Sequence, residues 1–175
     1  LSYYHAMDLF GNVPFVTEDD NVGAFLPNQI TRANLFNYIE SELKAIETEL
    51  KDARTNEYGR ADKAAAWALL SRLYLNAQVY TGTAKYSECI TYCNKITAIP
   101  GYALINNYRN LFLADNNTTS GSEFIFAVNF DGNKARTWGG TTFLVHAPIV
   151  GSMQAADHGV DFGWGGVRTT KQIVQ

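Results

Sequence analysis

Asp62-Lys63-Ala64-Ala65-Ala66-Trp67-Ala68-Leu69-Leu70-Ser71-Arg72-Leu73-Tyr74 decides the fold. Asp62 is a good helix N-cap, because its carboxylate accepts from a backbone amide one turn further on. Ala65, Ala66, Leu69, Leu70, Leu73, Tyr74 and Ala77 follow at helical spacing and define an apolar face. The alanines at 64, 65, 66 and 68 carry little bulk, so a second helix can approach closely. Thr81-Gly82-Thr83 breaks the run. A further helix is expected from about 85 to 97, using Tyr86, Cys89, Ile90, Cys93 and Ile96, and Pro100-Gly101 ends it.

Within that pair, Trp67-x-x-Leu70-Ser71-x-x-Tyr74 follows the first-helix pattern of a tetratricopeptide (TPR) unit, with Ser at the usual Gly position. The small residue at 89, the apolar residues at 93 and 96 and the proline at 100 continue the pattern, although the connecting loop is long for a standard repeat. A generic antiparallel helix pair satisfies the same spacing. Upstream, residues 1–9 read as a helix stopped by Gly11-Asn12, with Pro14 enforcing extended backbone. Glu18-Asp19-Asp20 reads as a solvated loop without ligand-spaced partners for a cation. Thr31 caps a helix whose apolar stripe is Leu35, Ile39, Leu43, Ile46 and Leu50.

After residue 112 the texture changes. Asp115 to Ser122 is rich in turn formers, Phe124 to Phe130 reads as a strand, and Thr141 to His146 reads as a second extended run. Asp157 to Gly166 is a glycine-rich loop. The expected architecture is mainly α: TPR-like antiparallel helix pairs over 1–112, then a loop and short-strand region over 113–175.

Charge and motif content exclude several functions. The net charge of −3, with no basic block, argues against a nucleic-acid partner, which requires clustered cations. No run reaches transmembrane length. Cys89 and Cys93, four apart on a helix, read as small buried hydrophobes, since neither further Cys nor His stands by to complete a zinc site. No nucleophile elbow, phosphate loop or H-E-x-x-H is present. His5, His146 and His158 lack ligand spacing, and His146 reads as a satisfied core residue on an apolar strand. Asp131, Asp157 and Asp161 carry no pattern that pairs them for glycoside hydrolysis. The expectation is a non-enzyme without catalytic residues, metal or cofactor.

Aromatic residues make up 13% of the chain, enough to supply binding platforms as well as a core. Two tryptophans sit among glycines, in Thr137-Trp138-Gly139-Gly140 and Gly163-Trp164-Gly165-Gly166. Indole offers a flat apolar face with one polar edge, which suits the C–H face of a pyranose ring. Glycines on either side keep such a platform open; the competing reading is that each indole plugs its own loop into the core.

The chain resembles the SusD-like (SusD/RagB) starch-binding outer-membrane lipoproteins of glycan-foraging Gram-negative bacteria, and within them the starch-utilisation branch. The resemblance rests on Asp8-Leu-Phe-Gly-Asn-Val-Pro-Phe15, Tyr38 to Leu43, Gly59 to Ala65, Arg72 to Ala77 and Val79 to Gly82. It continues through Tyr108 to Phe112, Ala114-Asp115-Asn116 and Gly139 to Val145, so it runs in order along nearly the whole chain. It implies an α-superhelical fold, of which this chain is an internal segment, with TPR units that pack against a SusC-like TonB-dependent transporter. It also implies non-catalytic capture of an α-glucan, starch or malto-oligosaccharides, at the outer-membrane surface, with a lipid anchor outside this segment. Trp138 takes the place of a family Tyr before Gly-Gly, and Trp164 matches a Trp of the following loop. Trp for Tyr keeps the stacking face and removes the hydroxyl. The alternative function is a TPR-type protein-interaction module whose aromatics are only core.

Overall fold

The structure, a computed structural model, describes residues 1–21, 23–129, 134–135 and 139–174, with Thr141 and Val174 by backbone alone. It divides into two compact units, Leu1–Ala127 and Val128–Gln175.

The first unit is a helical scaffold. Helix α1 (Ser2–Phe10) buries Tyr4 and Met7 and stops at Gly11, whose φ of 74° suits a residue without Cβ. The short strands β1 (Val13–Pro14) and β2 (Gln29–Ile30) pair antiparallel, Val13 opposite Ile30. Helix α2 (Arg32–Ile46) begins where Thr31 accepts from the Asn34 amide, as its sequence predicts. It buries Leu35, Phe36, Ile39 and Leu43, whereas Ile46, expected on the same stripe, is exposed.

Helix α3 (Lys63–Leu75) starts at Asp62, which accepts from the Ala65 amide at 3.1 Å. Ala64, Leu70, Leu73 and Tyr74 are fully buried there. At Asn76 (φ −102°, ψ 9°) the helical path breaks and resumes as α4 (Ala77–Thr81), so the expected single helix is two. Gly82, with φ of 82°, closes α4 in the left-handed conformation.

Helix α5 (Tyr86–Thr97) packs against α3 and completes the expected helix pair. Its phase differs from the sequence reading. Tyr92 is the buried residue, while Tyr86, Ile90 and Cys93 are exposed and Cys89 is half-buried. The cysteines are therefore not both core hydrophobes. Rotation follows polar anchoring: Lys95 reaches Glu47, the C-terminal cap of α2, and Tyr92 travels with it.

Two carboxylates tie α2 to the pair. Glu40 accepts from Tyr74 Oη at 2.8 Å, Lys44 Nζ at 2.9 Å and Lys85 Nζ at 3.1 Å. One heptad later Glu47 accepts from Lys95 Nζ at 2.5 Å, Trp67 Nε1 at 2.8 Å and Tyr92 Oη at 3.3 Å. The indole of the TPR-like signature thus serves as a hydrogen-bonded strut. Burial pushes both carboxyls up, but the hydrogen bonds, led by Lys44 on Glu40 and by Lys95 on Glu47, outweigh it and leave both pKa values lowered. A carboxylate depressed in the folded state stabilises above its unfolded pKa, and that contribution disappears as pH falls through the folded value. The Glu40→Gln, Glu47→Gln double variant is expected to lose about 1–3 kcal/mol at pH 7, as for hydrogen bonds to charged groups. The deficit should shrink as pH falls below the ordinary carboxylate range, which urea unfolding at pH 7 and pH 3 would measure.

Beyond α5, a 3-10 turn (Tyr108–Phe112) and the short α6 (Asn116–Thr119) lead to the segment expected as a strand from 124. Residues 124–129 form no strand among the described residues, and Phe130 lies outside them.

In the second unit, α7 (Gly140–His146) replaces the extended run expected there. The β-branched Thr141, Thr142 and Val145 favour strand only weakly when context disagrees. Here Gly140 adopts φ of 57°, and the helix end is fastened by a returning loop. A 3-10 turn (Ala155–His158) and α8 (Lys171–Val174) follow.

Candidate functional site

The site builds from α7 and the loop that returns to its C-terminal end. Trp164 N–H donates to the His146 carbonyl at 3.0 Å, and Gly165 N–H donates to that of Ile149 at 2.9 Å. Gly166 and Val167 N–H both donate to the Ala147 carbonyl, at 2.8 and 3.2 Å. These bonds engage the carbonyls at and just beyond the end of α7, the His146 carbonyl also accepting from Ile149 N–H at 3.2 Å. Ala147 and Ile149 are buried beneath the loop.

The glycines have a sharper role than openness. A Cβ on Gly163 would lie 2.3 Å from the Ile149 carbonyl oxygen and 2.7 Å from its carbonyl carbon. Gly165 has φ of 62°, in the left-handed region. Both let the loop backbone lie against residues 146–149, and that closeness fixes where Trp164 emerges.

Trp164 is half-buried. Its indole stacks on the His146 imidazole, with centroids 5.1 Å apart and planes at 24°, and Phe143 lies tilted at 6.2 Å. The imidazole is itself held: Nδ1 lies 2.9 Å from the Thr142 carbonyl and Nε2 lies 3.2 Å from Asp161 Oδ1. Phe162 packs on it at 5.8 Å. Both neighbours are acceptors, and the shorter Thr142 contact fits an Nδ1–H donor. Arg168 braces the loop by donating to the Gly165 and Val167 carbonyls.

Of the two residues expected to bind glycan, Trp164 therefore sits on a braced loop, and Trp138 lies outside the described residues. Sequence reasoning missed His146, Asp161 and Phe143 as parts of one cluster. The i, i+3 spacing of Phe143 and His146 was a usable signal, but only for a helix, and the segment reads as extended.

The first unit contains a cleft of about 200 Å³ between the α2–α3 loop and residues 117–127. Arg54, at φ of 64°, crosses it with its guanidinium 4.9 Å from the Tyr102 ring centroid. Its polar lining is largely consumed by local bonds. Asp62 accepts from the Arg54 and Ala65 amides, Asn56 donates to the Ala61 carbonyl, and Arg60 pairs with Glu57. This is the chemistry of a locked loop. No group of three or more potential metal ligands occurs among the described residues. No helix among them is long and apolar enough to cross a membrane.

The chain is 39% identical over 177 residues to the starch-binding protein SusD of Bacteroides thetaiotaomicron, a match that takes in all of the chain. The crystal structure of a SusD-like protein from Bacteroides fragilis superposes with a TM-score of 0.56 and 25% identity over 75% of the chain. The chain is SusD-like. It spans 31% of the length of the Bacteroides thetaiotaomicron relative and 25% of the crystallised one. No family model matches it. The TPR-like helix pair of α3, α4 and α5 is thus the scaffold of a SusD-like fold.

Proposed function

We propose that this SusD-like chain contributes part of a non-catalytic glycan-binding face, with Trp138 and Trp164 as stacking platforms for starch or malto-oligosaccharides. The observation that carries the reading is the identity to a starch-binding protein along the entire chain. The braced position of Trp164 supports it, because a platform fixed before binding costs little ordering entropy. In this reading residues 1–112 are the helical scaffold and 113–175 carry the loops of the glycan site. Captured glycan passes to a SusC-like TonB-dependent transporter at the outer-membrane surface, where the protein is held by a lipid anchor outside this segment.

Calorimetry of the full-length protein with maltoheptaose tests the binding claim. Trp138→Ala with Trp164→Ala is expected to weaken affinity by about 30-fold or more, as for truncation of aromatic anchors at an interface. Unchanged affinity would reject the platform. Incubation with amylose is expected to release no reducing sugar; release would replace capture with hydrolysis.

A further inference from the structure

Trp164 is not an isolated platform, and its neighbour tells how it is held. The imidazole of His146 lies nearly parallel to the indole at 5.1 Å, so the indole face against it is closed to a sugar ring. The ring nitrogens of His146 lie 2.9 Å from the Thr142 carbonyl and 3.2 Å from Asp161 Oδ1, which bracket the imidazole. His146 is also fixed through its backbone, since its carbonyl accepts from the Trp164 amide. One residue thus sets both the height of the loop and the plane of the indole.

We propose that His146 is the positioning residue of the Trp164 platform, holding the indole plane through the stack while Asp161 holds the imidazole. The inference rests on the reading of Trp164 as a glycan platform. The stack, the two ring-nitrogen contacts and the backbone bond together fix the indole plane. Helix α7 carries no ionisable side chain besides His146, and the packed loop brings Asp161 and Arg168, the latter turned to the Gly165 and Val167 carbonyls.

The test uses the full-length protein and maltoheptaose, titrated by calorimetry at pH 8. Three single variants are compared: His146→Ala, His146→Phe and Trp164→Ala. His146→Ala is expected to weaken binding by about tenfold, the upper range for losing a stacked aromatic partner. His146→Phe keeps a ring behind the indole and is expected to retain affinity within about twofold at pH 8. In the absence of sugar, the tryptophan emission spectrum should change with His146→Ala, which bares one indole face, and stay near that of wild type with His146→Phe. If Trp164→Ala binds as wild type does, the platform reading itself fails. If Trp164→Ala loses affinity while both His146 variants bind as wild type does, the positioning role alone is overturned.

Discussion

Tyr74→Ala is expected to destabilise the helical unit by about 3–5 kcal/mol, the range for deleting a large buried aromatic. Tyr74 has no exposed surface and packs against Phe36 and Tyr92, with ring centroids 6.4 and 5.7 Å away. Its hydroxyl donates to Glu40, and the ammonium groups of Lys44 and Lys85 lie 5.9 and 5.4 Å from its ring centroid. Burial, then the hydrogen bond to Glu40 and its charge, push the phenol well above its usual pKa, so it stays a neutral donor. Truncation would leave a cavity and remove one donor from a part-buried carboxylate. Tyr74→Phe separates the two effects, since it keeps the ring and should cost about 1–2 kcal/mol for the lost hydrogen bond to a charged acceptor. Urea unfolding followed by far-UV circular dichroism would measure both. A Tyr74→Phe cost equal to that of Tyr74→Ala would mean that the polar anchor, and not the ring, dominates.

The same residue shows why the helical scaffold was legible. Asp62, Leu70 and Tyr74 are constrained by local rules, a cap and a helical period, which a sequence displays directly. Thr31 and Gly11 belong to the same class. What local rules missed was rotation. On α5 the apolar residues Tyr86 and Ile90 face outward because Lys95 and Tyr92 are drawn to Glu47, 48 and 45 positions away. A charged side chain recruited to a partner distant in sequence leaves no periodic trace. Asn76 breaks the α3–α4 path without a glycine or proline to announce it.

The candidate site was legible only in its residue types. Trp164 among glycines suggested an indole on an open loop. Its setting depends on α7, and the β-branched residues of that segment read as extended. Without the helix, His146 had no reason to meet Trp164, and Asp161 had no reason to matter. The family resemblance carried the starch reading further than these residues do, because it draws on order along the whole chain.

Gly163→Ala is expected to dislodge the Trp164 loop, at a cost of about 3–5 kcal/mol, the tail of single-residue effects reached when backbone is overpacked. The added methyl would sit 2.3 Å from the Ile149 carbonyl oxygen and 2.7 Å from Ile149 Cβ. No rotamer relieves a clash between a Cβ and backbone, so the chain itself must move. Movement of even a few tenths of an ångström at 163 strains the bonds from Trp164, Gly165 and Gly166 to the carbonyls of His146, Ile149 and Ala147. Hydrogen exchange at those three amides should accelerate by at least a hundredfold, while amides of α3 keep their rates; about 2.7 kcal/mol of local destabilisation suffices for that. Gly151 supplies the control. Nothing lies within 4 Å of a Cβ built there, so Gly151→Ala should change stability by less than about 0.5 kcal/mol. Maltoheptaose affinity should fall with Gly163→Ala and stay with Gly151→Ala, since the first moves the indole and the second does not. A Gly163→Ala protein with slow exchange at Trp164 and intact affinity would show that the loop position is set elsewhere than at this contact.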